Sequence, residues 1–129
     1  VDWNRYRELC DQGDVLSRWL LIRTAELLRR DGEPALADWL ETHLEQTRVP
    51  KPEDHLGGAD TDFFRVTPDL ARAQRIVDHV TRAAADPERR LPGGHGFGGV
   101  TEAWAEFRDW LDGSHPRSPY RPGPDSRHG

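Results

Sequence analysis

The stretch VLSRWLLIRTAELLRRDGEP, residues 15–34, decides how this chain folds. Val15, Leu16, Trp19, Leu20, Leu21, Ile22, Leu27 and Leu28 recur at helical spacing and spread round most of a helix. A helix apolar on so many sides is central and is touched by several neighbours. Asp14 is the expected cap, which places the helix over about 14–31. Arg29 and Arg30 suit the negative end of its dipole, and Gly32 supplies the left-handed residue that ends it. Pro34 then opens the next helix, where its missing N–H is harmless.

Working outward, Leu36, Trp39, Leu40 and Leu44 form the inner stripe of a helix over 34–48, stopped by Pro50 and Pro52. Upstream, Trp3, Tyr6, Leu9 and Cys10 predict a helix near 2–12, broken by Gly13. Downstream, Thr67 as cap before Pro68 and Asp69 starts a helix over 68–86, with Ala73, Ile76, Val77 and Val80 inward. Thr101 caps a last helix over 101–112 carrying Trp104, Phe107, Trp110 and Leu111, and Gly113 stops it. No segment alternates with strand period. The expectation is an all-α fold: a single domain over 1–113, an irregular bundle of about five helices, followed by a flexible Pro-rich tail over 114–129.

Only 35% of the 129 residues are hydrophobic and 32% are charged, so the core must be economical. Five tryptophans compensate, each able to bury on the order of 200 Å². Trp19, on the central helix, is expected to be the costliest of them to remove. A net charge of −5 disfavours nucleic acid and anionic membranes. Lys51 is the single lysine among many arginines, a bias of GC-rich coding sequence such as that of a high-GC bacterium. Cys10 has no second cysteine to pair with, and the apolar run Trp19–Ile22 is far too short to span a membrane. Residues 1–20 carry neither the basic start nor the apolar stretch of a signal peptide, so a cytoplasmic protein is expected.

Reactive motifs are scarce. LPGGHGFGGV, residues 91–100, satisfies G-x-G-x-x-G at Gly94–Gly99, but a dinucleotide site needs a strand before it and a ribose-binding acid beyond it. The loop reads as a connector, and no cofactor is expected. EDHLGGADTD, residues 53–62, is acidic but lacks EF-hand offsets, and neither His43 nor His79 sits in a zinc pattern, so no metal is expected. Cys10 and Ser17 lack a nucleophile's setting, and no catalytic residue is assigned.

Charge placement is the most distinctive feature. Asp38, Glu41 and Glu45 share the outer face of the 34–48 helix, and Glu53, Asp54, Asp60 and Asp62 extend the acidic block. Arg72, Arg75, His79 and Arg82 form an opposing basic stripe on the 68–86 helix. Compensation between neighbouring helices accounts for such stripes in most proteins. The sharper expectation is an acidic face that docks a basic protein partner in a neutralising, regulatory or adaptor role. That face also excludes the 34–48 helix as a DNA-reading helix. The alternative is a small helical enzyme or ligand-binding bundle with a pocket under the 49–66 segment.

Overall fold

Ser17, rather than Asp14, starts the central helix. In the computed structural model, which describes residues 13–49 and 62–120, Val15–Ser17 is a short strand, β1, and the Ser17 hydroxyl accepts the Leu20 amide at 3.2 Å. The helix α1 therefore runs Arg18–Arg30 instead of 14–31. Asp14 is occupied elsewhere: its carbonyl accepts the Val66 amide and its carboxylate takes the Arg65 guanidinium.

Gly32 turns the chain with φ near +87°, and Pro34 opens α2, Pro34–Gln46. Two strands follow, β2 at Arg48–Val49 and β3 at Phe63–Arg65. β3 lies between β1 and β2 and is antiparallel to both, with Leu16 opposite Phe64 and Val49 opposite Phe63. The all-α expectation is thus corrected to a mostly helical domain with a small three-stranded sheet. Strands of two or three residues leave no alternation to detect, and Val15-Leu16 fits a helix pattern equally well. Side chains still obey the strand period, since Phe64 and Val66 are buried while Phe63 and Arg65 are half-exposed.

The remaining helices are α3, Leu70–Ala84, and α4, Val100–Asp112. Their caps also differ from expectation. Asp69 replaces Thr67, accepting the Arg72 amide at 2.9 Å, and α4 begins beyond Gly99, whose N–H donates to Glu102 at 2.6 Å. Gly113, with φ near +87°, ends α4 as expected. Among the described residues there are four helices, and the fifth, expected at 2–12, lies outside them. The glycine loop is anchored by buried Leu91 and Phe97, and its His95 meets Trp19 edge-on at 5.6 Å. The start of the expected tail folds back on α4: Ser118 is buried, its hydroxyl donates to the Trp110 carbonyl, and His115 lies 5.5 Å from the Trp110 ring.

One core unites these elements. α1 pairs with α2, α3 pairs with α4, and Trp104 of α4, fully buried, reaches α1. Its indole N–H donates to the Thr24 hydroxyl at 2.8 Å, with both side chains sealed from water. Trp19 is only partly buried at the edge of this core, so the most costly tryptophan shifts from Trp19 to Trp104. Close packing also fixes Gly13. It lies against the Trp110 ring with φ near +74°, and an added Cβ would sit 2.1 Å from that ring.

Trp104→Ala is expected to lose about 3–5 kcal/mol of stability in urea unfolding. Thr24→Val, which leaves the indole N–H without its acceptor, is expected to lose about 1–3 kcal/mol. Trp19→Ala should lose clearly less than Trp104→Ala, and equal losses would contradict this division of the core.

Candidate functional site

The acidic residues of α2 meet the end of α1. The hairpin turn at Gly32 lays the two helices side by side and brings Arg29 between two acids. Arg29 donates to Asp38 at 2.5 Å and to Glu41 at 2.7 Å. Those hydrogen bonds, Glu41 first and Asp38 second, raise the affinity of the Arg29 guanidinium for its proton. Glu45, one turn beyond Glu41, is exposed and has no partner among the described residues. Asp62 lies apart from this face, beside the sheet, and holds Arg48 at 3.1 Å. Glu53, Asp54 and Asp60 lie outside the described residues, as do residues 50–61 of the 49–66 segment under which a pocket is expected.

Between α1 and α2 runs a groove of about 260 Å³. Ile22, Ala25 and Leu44 supply its apolar lining, and Glu26 and Glu41 its charge. Glu26 holds Arg23 at 3.1 Å, and both side chains remain accessible to water. Such exposed pairs are weak and easily exchanged for a competing cation. The groove therefore presents apolar surface flanked by carboxylates.

A second constellation surrounds Asp31, the residue capping the end of α1. Its carboxylate accepts from His79 Nε2 at 2.7 Å, from Arg89 at 2.6 and 2.7 Å, and from Arg30 at 3.3 Å. Burial alone would raise its pKa, but Arg89, His79 and Arg30 together outweigh burial and hold it below the ordinary carboxylate value. Because a carboxylate only accepts, the His79 proton lies on Nε2. The basic stripe of α3 is thereby largely compensated. Arg72 holds its own cap Asp69 at 2.6 Å and lies 5.4 Å from the Trp39 ring centre. Arg75 reaches Glu33 at 3.0 Å, while Arg82 is exposed and has no partner among the described residues. The compensating acids, Asp31 and Glu33, come from the α1–α2 turn. The sequence announced the stripe through its spacing, whereas the approach of Arg89 from a loop 58 positions away left no local signal.

A cavity escaped the sequence reading, and His43, at the flank of the inner stripe of its helix, proves to be buried. Gly13, Leu16, Phe107, Trp110, His115 and Arg117 line a cavity of about 350 Å³ beside β1 and α4. His43 is buried against Trp39, with ring centres 5.2 Å apart, and its Nδ1 has no hydrogen-bond partner. Among the described residues no three potential ligands gather as a metal site, and no helix is long and apolar enough to cross a membrane. Ser17 serves as a helix cap, and Cys10 lies outside the described residues.

No family model matches this chain, and no curated protein or solved structure matches it either.

Burial lowers the pKa of His43 below its ordinary value of 6.5. The unfolded chain therefore binds this proton more readily than the folded one. Stability attributable to His43 is complete above about pH 6.5 and is lost as pH falls towards its folded value. Asp31 acts only at lower pH, because its loss begins near the ordinary carboxylate pKa, about 4. Urea midpoints at pH 7.5 and pH 5 should therefore differ in the wild type, and His43→Leu should reduce that difference. An unchanged pH dependence in the variant would contradict burial as the controlling feature.

Proposed function

We propose that this protein is a cytoplasmic binding module that docks a basic, amphipathic segment of a partner protein along the α1–α2 groove. The observation that carries this reading is the groove itself, apolar at Ile22, Ala25 and Leu44 and flanked by Glu26 and Glu41. Glu45 adds a carboxylate on the next turn of α2, with no partner among the described residues. A partner helix bearing leucines on one side and lysines or arginines beside them matches both properties of this surface. The apolar contacts would anchor it, and the carboxylates would steer its approach and fix its register. Arg23 and Arg29 currently hold Glu26, Asp38 and Glu41, so partner cations replace accessible internal pairs rather than meeting bare carboxylates. Those internal pairs keep the acids extended and oriented before the partner arrives. Glu53, Asp54, Asp60 and Asp62 belong to the same proposal as a second acidic patch, with Asp62 holding Arg48.

Glu45 separates docking from folding better than its neighbours do. Reversing Asp38 and Glu41 releases Arg29 and creates new repulsion with it, so that double variant should lower the melting temperature as well as any binding. Glu45→Lys should leave the melting temperature unchanged. A labelled amphipathic Leu/Lys helix serves as the probe, read by fluorescence anisotropy and amide chemical shifts. Its shifts should concentrate on Ile22, Ala25 and Leu44, and Glu45→Lys with Glu26→Gln should weaken it about tenfold at low salt. Shifts spread over the whole surface, or an affinity indifferent to both substitutions, would overturn the docking groove.

A further inference from the structure

The outer face of α3 carries a feature that docking at the α1–α2 groove does not use. Arg75, His79 and Arg82 follow i, i+4, i+7 spacing, so their side chains stand above one another on one side of the helix. All three line a pocket of about 230 Å³, completed by Glu33 and Asp78. This volume is below the roughly 300 Å³ at which pockets begin to take drug-sized ligands, and suits a small group.

We propose that Arg75, His79 and Arg82 form a binding pocket for a small phosphate-type oxyanion. Asp31 engages His79 Nε2, which fixes the orientation of the imidazole in the pocket lining. Arg75 and Arg82 flank this ring along the helix with two guanidiniums, which suit a tetrahedral anion with several acceptor oxygens. Arg30 and Arg89 hold the same Asp31 carboxylate and offset its repulsion of an approaching anion. Arg82 supplies a guanidinium without a partner among the described residues. Arg75 is engaged by Glu33 at 3.0 Å, but both side chains are well exposed and the pair can open. Glu33 thus acts as the anion's internal competitor. Asp78, the other acid of the pocket, already accepts from Gln74 at 2.8 Å.

This arrangement predicts opposite effects for two neighbouring substitutions. Losing Arg82 removes a charge-assisted hydrogen bond to the ligand, whereas neutralising Glu33 frees Arg75 to make one. A pocket whose charges served only internal compensation would show no anion response to either change.

The probe is inorganic phosphate, titrated at constant ionic strength against sodium chloride while the His79 ring resonances are followed by NMR. The wild type should show a saturable shift at His79, absent at His43 and His95. Arg82→Gln and Arg75→Gln should each weaken binding about tenfold, and Glu33→Gln should tighten it severalfold. Both arginines are exposed on α3, and the dispersion of the amide spectrum checks that each variant is folded. Glycerol phosphate, added in a second titration, distinguishes a monoester ligand from the free ion by the tighter of the two midpoints. A non-saturable response, one reproduced by chloride, or one unchanged in both arginine variants would overturn the proposal.

Discussion

Everything in this fold converges on an indole sealed between helices that are far apart in sequence. Trp104 belongs to α4, yet its N–H ends on Thr24 of α1, joining the two helix pairs across the core. A chain with so few apolar residues must obtain large burial from few side chains, and one tryptophan replaces several aliphatic contacts. Its polar atom then requires a partner, because a buried N–H without an acceptor loses most of what burial contributes. Thr24 meets that requirement from within an otherwise aliphatic stripe, which explains a hydroxyl among leucines. The bond is directional as well as stabilising. It fixes the rotation of α1 relative to α4, and with it the faces both helices turn outward.

Those outward faces carry the charges, and their pairing follows from the same geometry. The tight turn at Gly32 and Pro34 sends α2 back along α1, so Arg29 lies within reach of Asp38 and Glu41. It also projects Asp31 and Glu33 towards α3, where they meet His79 and Arg75. The short turn at Asp31, Gly32 and Glu33 therefore divides the charged residues of three helices into two separate networks. The first borders an apolar groove, and the second encloses a small basic pocket. Both proposed sites are consequences of where the chain reverses.

The turn was legible because it depends on backbone properties of single residues: glycine tolerates positive φ, and proline fixes the first helical turn. The apolar stripes of α2, α3 and α4 were legible for a similar reason, since periodicity is local. The sheet was not. Residues 63–65 are recognisable as a strand only once Leu16 and Val49 are known to flank them, a condition of tertiary placement. The misplaced start of α1 follows directly, since Asp14 and Ser17 both satisfy a cap's chemistry. Pairing of β1 with β3 extends the strand through Ser17, whose hydroxyl then caps α1. Asp38, Glu41 and Glu45 were legible as an outer face from spacing alone, whereas Arg29 as their internal partner required the helices to be antiparallel. Asp31 was hidden more deeply, for its partners come from α3 and from the loop after it.

The placement of histidines beside indoles has a consequence for spectroscopy. Trp19 faces His95, Trp39 faces His43 and Trp110 faces His115, with ring centres 5.2 to 5.6 Å apart. An imidazolium close to an excited indole accepts an electron and quenches its emission, whereas neutral imidazole does so weakly. Trp104 instead contacts Phe107 and lies deep in the core. Among the described tryptophans, Trp19, Trp39 and Trp110 therefore each carry a potential quencher against the ring, whereas the aromatic neighbour of Trp104 is a phenyl ring that cannot take that role. Of these four indoles, Trp104 is the one whose emission wavelength reports exposure of the core.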